Sequence, residues 1–192
     1  PHFLYNTLDT IVWMAEFNDS RRVVEVTKSL AQYFRLALNQ GHEQIALKDE
    51  IDHVRQYLFI QKQRYGDKLQ YEIEEDESLA DYKLPKLVLQ PLVENAIYHG
   101  IKEIDRQGMI QVTSKVEEGQ LRLSIYDNGR GFDVNASMDA TLLRLGGVGL
   151  KNVDQRLRLQ FGDDYHMEIQ SEPDKFTQIS LYLPLDSDNQ VR

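Results

Sequence analysis

The sequence predicts an α+β fold, in which a helical hairpin precedes a sandwich with helices on one face of a mixed, mostly antiparallel sheet. Apolar residues recur at helical spacing through residues 3–65, and the alternation typical of strands begins only after them. The predicted strands also neighbour one another along the chain. This order favours an antiparallel or mixed sheet over a doubly wound parallel sheet.

The first part of the chain is predicted to be a hairpin of two helices. Apolar stripes occupy residues 3–17 and 23–37, and the polar sequence Asn18-Asp19-Ser20 separates them. Asp19 or Ser20 can cap the second helix by accepting a hydrogen bond from its free N–H groups. Because two helices alone cannot enclose a core, we expect the hairpin to self-associate into a four-helix bundle.

A change of pattern near residues 41–46 marks the predicted domain boundary. The elements expected beyond it are helices at 47–65, 85–98 and from the glycines at 146–149 to about 161, and strands at 69–73, 110–116, 121–126, 165–171 and 176–183. Pro91 should kink its helix or mark a late start. The predicted units are the hairpin at 1–42, an α+β domain at 43–186 and a flexible tail at 187–192.

Composition excludes several classes of protein. The 192 residues carry a formal net charge of -9, so we expect no broad nucleic-acid-binding face. The absence of Cys excludes disulfides and thiolate-bound metals, and the His residues lack zinc-site spacing. No apolar run is long enough to span a membrane. The start at Pro1, without an initiator Met, is interpreted as the start of a fragment of a longer protein.

Two glycine-rich segments are candidates for nucleotide contacts. Asp127 follows a predicted strand and can accept a hydrogen bond from an adenine amino group, while Gly129 and Gly131 leave room for the base. Taken alone, this segment is more often a plain loop. Gly146–Gly149 opens a predicted helix, where free N–H groups favour phosphate, although a simple helix cap fits equally well.

Two further segments carry polar side chains on predicted helices. Glu94 and Asn95 flank an apolar helix face, so both can reach one pocket edge, and an Asn oxygen with nucleotide phosphates suits Mg²⁺. An exposed pair is the commoner explanation when these two residues are considered alone. His2 stands at the head of the first helix, where a single His is usually a surface residue.

Taken together and in order, four segments resemble the H, N, G1 and G2 boxes of the LytS/YesM-like group of sensor histidine kinases. They are Pro-His-Phe-Leu-Tyr-Asn at 1–6, Glu-Asn-Ala at 94–96, Asp-Asn-Gly-Arg-Gly-Phe at 127–132 and Gly-Gly-Val-Gly-Leu-Lys-Asn-Val at 146–153. The resemblance implies a dimerising hairpin that carries a phospho-acceptor His. It also implies an ATP-binding domain of the Bergerat (GHKL) fold.

The resemblance assigns roles to individual residues. His2 would accept the γ-phosphoryl group, Asn95 would bind Mg²⁺, Asp127 would hold the adenine amino group, and Gly129 and Gly131 would shape the base pocket. Further nucleotide contacts are expected from His99, Lys102, Gly147, Gly149 and Leu150. Lys102, Arg144 and Lys151 are candidate phosphate contacts, with solvated surface charge as the alternative for each.

Two residues are candidates for assisting His2. Glu94 is a candidate base, because the matching Glu activates water in the related ATPases. Asn6 lies one helical turn from His2 on the same face and could orient the imidazole or a water for dephosphorylation. Phe3 follows His2 at a position where many histidine kinases have Asp or Glu.

The function expected from this resemblance is ATP-dependent autophosphorylation of His2, followed by transfer to an aspartate of a response-regulator receiver domain. We expect ATP and Mg²⁺ as cofactors and a homodimer as the working form. The resemblance places the chain in the cytoplasmic part of a bacterial membrane protein, with membrane segments upstream. The alternatives are a Bergerat-type ATPase or serine kinase and a nucleotide-binding pseudokinase that serves dimerisation.

Overall fold

The computed structural model describes residues 2–38, 43–134 and 148–185. The helices are α1 (His2–Glu16), α2 (Ser20–Ala37), α3 (Leu47–Tyr65), α4 (Leu89–Asn95) and α5 (Val148–Phe161). The strands are β1 (Gln44–Ala46), β2 (Leu69–Glu74), β3 (Lys83–Pro85), β4 (Gly108–Glu117), β5 (Gln120–Asp127), β6 (His166–Glu172) and β7 (Phe176–Pro184). This order confirms the α+β class.

The strands form a five-stranded sheet in the order β2-β4-β5-β7-β6. β2 pairs with β4 in parallel, and every other pair in this sheet is antiparallel. A separate two-stranded sheet joins β1 to β3. The predicted mixed, mostly antiparallel sheet is therefore correct, whereas the β1–β3 pair was not predicted.

The large sheet buries one face under three helices. In β5, Leu121, Leu123 and Ile125 are at most 2% exposed, whereas the alternating Arg122 and Tyr126 are half-buried. The inward residues belong to one apolar core that also contains buried side chains of α3, α4 and α5. α4 therefore lies directly against β5, with its C-terminal end toward the end of that strand.

The helical hairpin packs on α3 instead of standing free. Met14, Val26 and Leu30 meet Ile60 of α3 in a second, smaller apolar cluster. The Asp19 carboxylate accepts a hydrogen bond from the Arg22 N–H at 3.2 Å, as expected for a cap of α2. Within the described residues, no helix is long and apolar enough to cross a membrane.

Among the predicted helices, the one at 85–98 differs most from the observed structure. α4 begins only at Leu89, with Pro91 in its first turn, which confirms the late start. After Asn95 the chain continues as a π-helical turn over Ala96–Gly100 and a 3₁₀ turn over Ile101–Glu103. Short π-helical turns occur frequently at functional sites, and this one forms one wall of the pocket described next.

Candidate functional site

A pocket of about 380 Å³ lies between α4, its π-helical continuation and the ends of β5 and β7. Its lining residues are Leu92, Asn95, Ala96, His99, Gly100, Glu103, Ile125, Asp127, Arg130, Gly131, Phe132, Thr177 and Ile179. Apolar side chains of the helix and the strands line it together with polar side chains, which are those of Asn95, His99, Glu103, Asp127, Arg130 and Thr177. This combination is typical of small-molecule sites.

Asp127 is the buried acid of the pocket. It ends β5, is 4% exposed, and accepts a hydrogen bond through Oδ1 from the Gly129 N–H at 2.9 Å. Burial raises the pKa of Asp127 to about 7, and the Gly129 amide opposes this shift only in part. Among the described residues, no donor is hydrogen-bonded to the second carboxylate oxygen, Oδ2, so this oxygen can accept a hydrogen bond from a ligand.

Two glycines pack against the Asp127 carboxyl group. A Cβ atom on Gly100 would lie 2.3 Å from Asp127 Oδ1, and one on Gly129 would lie 2.4 Å from the Gly100 backbone. Any side chain at either position would therefore displace the carboxylate. Gly129 was a predicted pocket residue, whereas Gly100 was missed, although a glycine next to the predicted His99 was visible in the sequence.

The loop after β5 is held from outside the pocket. The Arg106 guanidinium donates to the backbone oxygens of Asn128, Gly129 and Asp174. Gly131 has φ +56°, and a Cβ atom there would lie 2.0 Å from the Glu172 carbonyl oxygen. The loop therefore reaches the β6–β7 turn only with glycine at this position.

The structure separates the predicted pair of Glu94 and Asn95. Asn95 lines the pocket, and its buried Nδ2 has no hydrogen-bond partner among the residues that the structure describes. Glu94 is not among the lining residues, and its Oε1 accepts a hydrogen bond from Gln90 Nε2 at 3.0 Å. The expectation that both side chains reach one pocket edge therefore holds for Asn95 only. His99 also lines the pocket, as predicted.

His2 lies near the helix wall on the hairpin side. Its ring centroid is 6.5 Å from that of Tyr98, which belongs to the π-helical turn. Asn6 Nδ2 lies 3.1 Å from His2 Nδ1 and 3.3 Å from Nε2. The structure therefore brings together the two residues that spacing alone had placed on one face of α1.

Three further predicted nucleotide contacts, Lys102, Gly149 and Leu150, are not among the lining residues. Lys102 is exposed, with Nζ 5.9 Å from the Tyr98 ring centroid. Leu150 is fully buried in the core, and Gly149 lies at the start of α5, where a Cβ atom would be 3.5 Å from Pro91 Cβ. Gly147 and Arg144 lie outside the described residues.

The described side chains alone do not form a metal cage. Across residues 2–38, 43–134 and 148–185, no group of three or more His, Cys, Asp or Glu side chains is placed to hold a metal ion. Mg²⁺ keeps several waters and commonly uses substrate phosphates with only one or two protein ligands. Asn95 fits that requirement, because it lines the pocket and an amide oxygen can serve as a ligand.

The fold and pocket define an ATP-binding domain of the class shared by histidine kinases, DNA gyrase B and HSP90. Residues 80–187 match the family "Histidine kinase-, DNA gyrase B-, and HSP90-like ATPase", and residues 1–69 match the family "Histidine kinase". The chain therefore belongs to the histidine kinase family, and its ATPase domain implies ATP binding.

Curated relatives agree with this assignment. The chain is 38% identical over 184 residues to the sensor histidine kinase BtsS of Escherichia coli K12 and 34% identical to YesM of Bacillus subtilis 168. Each match covers 96% of this chain and 31% of the relative, so the chain spans about a third of their length.

The fold also matches a solved histidine kinase domain. The domain of the blue-light activated histidine kinase of Erythrobacter litoralis EL346 superposes with a TM-score of 0.57 at 18% identity, covering 95% of this chain and 89% of that one. This likeness supports the arrangement of a helical hairpin followed by the α+β sandwich.

Proposed function

We propose that the chain binds Mg²⁺-ATP in the pocket beside Asp127 and transfers the γ-phosphoryl group to His2. The observation that carries the proposal is the buried Asp127 carboxylate, flanked by Gly100 and Gly129. A flat base can approach this place because no side chain intervenes. The amino group of an adenine can donate a hydrogen bond to the free carboxylate oxygen, Oδ2. This hydrogen bond would let the pocket recognise adenine.

Asn95 would hold Mg²⁺ together with phosphate oxygens of the nucleotide. The bound ion would offset the negative charge that builds up during phosphoryl transfer. His99 and Gly131 line the same pocket, so both are proposed to contact the bound nucleotide. Gly147, Gly149 and Lys102 remain predicted contacts at the phosphate end, whereas the side chain of Leu150 is buried in the core, so only its backbone could serve there.

The transfer step requires an unprotonated imidazole nitrogen on His2. That nitrogen attacks the γ-phosphorus, the bond to the β-phosphate oxygen breaks, and ADP leaves with the electron pair. The other ring nitrogen then releases its proton. Glu94 is the proposed acceptor, since it lies on α4 one turn before Tyr98, which contacts the His2 ring.

Asn6 is proposed to set the tautomer of His2. Its amide can donate to the unprotonated ring nitrogen or, rotated by half a turn, accept from the protonated one. The second orientation leaves the lone pair on the other nitrogen free to attack. The same amide could orient a water for dephosphorylation.

The working form is proposed to be a homodimer that passes phosphate to an aspartate of a response-regulator receiver domain. Tyr5, Leu8 and Val12 form an exposed apolar face of α1, with 65%, 44% and 57% of each residue accessible. A second copy of the hairpin would cover that face in a four-helix bundle. Membrane attachment would come from segments upstream, as in a sensor protein.

The direct test is incubation with γ-labelled ATP and Mg²⁺, followed by acid and base treatment of the protein. We expect a label that is lost in acid, stable in base and absent from His2→Gln. Asn6→Ala should change the rate of labelling or of dephosphorylation. Steady phosphate release without labelled protein would instead identify an ATPase.

A further inference from the structure

α4 begins without a cap of its own. Val88 occupies the N-cap position and makes no side-chain hydrogen bond to the helix. The helix spans only Leu89–Asn95, and Pro91 lies in its first turn. Helices this short are unstable in isolation, because the first turn costs more free energy than it returns. Contacts from elsewhere must therefore hold the start of α4.

Glu50 of α3 supplies those contacts. Its Oε2 accepts a hydrogen bond from the Leu87 N–H at 2.9 Å, and its Oε1 accepts one from the Leu89 N–H at 2.8 Å. The neighbouring N–H groups of Val88 and Gln90 also lower the pKa of this carboxylate. Because Pro91 has no N–H, the first turn of α4 has few free donors, and this side chain accepts from the first of them, the Leu89 N–H.

The carboxylate is completely buried, with Glu50 at 0% exposure. Burial raises the pKa of Glu50, and the four backbone amides lower it. A buried charge is costly unless its hydrogen bonds are complete. The partial positive charge at a helix N-terminus is a suitable partner for it. Such a costly group in the core indicates a specific task at this helix.

We propose that Glu50 is a positioning residue that fixes Asn95 at the pocket wall by capping α4 from α3. From Leu89 to Asn95 the helix rises about 9 Å, so a shift of its first turn moves the amide directly. This inference rests on the proposed nucleotide function of the pocket.

Glu50→Gln tests the proposal, because it keeps the shape of the side chain and replaces one acceptor oxygen with a donor. The Leu87 and Leu89 N–H groups bind different oxygens, so one of them would face an NH₂ group. ADP affinity is measured calorimetrically with and without Mg²⁺. We expect the gain in affinity from Mg²⁺ to fall about tenfold, while adenosine affinity changes by less than about twofold.

Asp52→Asn is the matched control, since Asp52 is an exposed carboxylate on the same helix, α3. It should leave both affinities unchanged. A folded Glu50→Gln protein that keeps the Mg²⁺ gain would overturn the proposal, and so would an equal loss of adenosine and Mg²⁺-ADP binding. If wild type binds neither ADP nor adenosine, the proposed function itself fails.

If Glu50→Gln does not fold, Glu50→Asp is the second test of the positioning role of Glu50. It retains the charge but withdraws the carboxylate by one methylene, so we expect part of the Mg²⁺ gain to be lost. Hydrogen exchange should then be faster at the Leu87 and Leu89 amides and unchanged in β5. A Glu50→Asp protein with the wild-type Mg²⁺ gain would contradict the role of Glu50.

Discussion

The ionised form of Asp127, which the proposed function requires, destabilises the folded protein. Its folded pKa of about 7 lies above the ordinary 3.8, so the folded protein binds more protons than the unfolded chain between these values. Stability therefore falls as pH rises through this window and stays constant above it. The shift of about three units corresponds to at most about 4 kcal/mol.

Asp127→Asn should therefore stabilise the protein while abolishing nucleotide binding. Above about pH 7 the substitution removes the cost of a buried charge, whereas near pH 4 the difference in unfolding free energy should vanish. The amide can still accept from Gly129, but it then turns NH₂ toward the adenine amino group. Urea denaturation at both pH values and calorimetry with adenosine measure the two effects. A variant less stable than wild type at high pH would contradict this account.

Adenosine affinity of wild type should depend on the ionisation of Asp127. Only the ionised carboxylate accepts from the adenine amino group without first losing a proton, so affinity should weaken about tenfold from about pH 8 to about pH 6. Adenosine is the suitable ligand because it has no phosphate that titrates there. A flat profile would indicate that the base does not bind to this carboxylate.

Gly100→Ala should reduce adenosine binding, because the added Cβ atom would lie 2.3 Å from Asp127 Oδ1. We expect a loss of at least about tenfold, since contacts that hold a binding group in place commonly carry that much. Gly119→Ala is the control. Gly119 has φ +79° at the β4–β5 turn, and an added Cβ atom there would meet nothing within 4 Å, so alanine strains the backbone without touching the pocket.

If Gly119→Ala weakened adenosine binding as much as Gly100→Ala, general destabilisation would explain both losses. Binding measured well below the unfolding temperature of each variant separates the two explanations.

At the scale of elements, the sequence predicted most of the fold because its signals are local. The stripe from Leu47 to Tyr65 ends at Gly66, and α3 has these bounds. The β4–β5 hairpin turns at Glu118-Gly119, where both residues have positive φ. Periodicity and turn residues are sufficient for such elements, since each pattern lies within one stretch of chain.

The elements that were missed depend on contacts between distant segments. The β1–β3 pair joins Gln44 to Pro85, and the cap of α4 comes from Glu50. The π-helical turn that carries Gly100 has no known pattern of its own in the sequence. The candidate site was therefore predicted from its motifs, at Asp127 and Asn95, whereas Gly100, which packs on Asp127, and Glu50, which caps α4, were not.

The hairpin and α3 meet through Phe3, which packs between Tyr33 and Tyr57 at ring-centroid distances of 4.8 and 4.9 Å. Phe3→Ala should loosen this contact by about 2 kcal/mol, less than the loss for a fully buried Phe. We expect faster hydrogen exchange and proteolysis in α1 and α2 with little change in β5. Phe17→Ala is the control, because Phe17 lies in the turn directly after α1 and is 67% exposed. Equal effects of both variants would contradict a specific role for Phe3.

At the scale of the whole molecule, the exposed face of α1 and the core of the hairpin lie on different sides of one helix. Met14 and Thr7 are each 2% exposed and face the inside, whereas Leu8 and Val12 face outward. A helix that is apolar on both sides needs two partners. α2 and α3 cover one side of α1, and a second copy of the chain is proposed to cover the other side.

Val12→Glu should convert the proposed dimer to monomer. In a two-fold interface each substitution counts twice, so losing about 2 kcal/mol of apolar burial per copy weakens dimerisation roughly a thousandfold, before the cost of the charges. Sedimentation across a concentration series measures this, and the emission of Trp13, which is 57% exposed on α1, should shift to the blue as wild type associates. Leu159→Glu is the matched control, because Leu159 is 87% exposed on α5. If Leu159→Glu dissociated the dimer and Val12→Glu did not, the second copy would bind the ATP-binding domain, and the outer face of α1 would need a different partner.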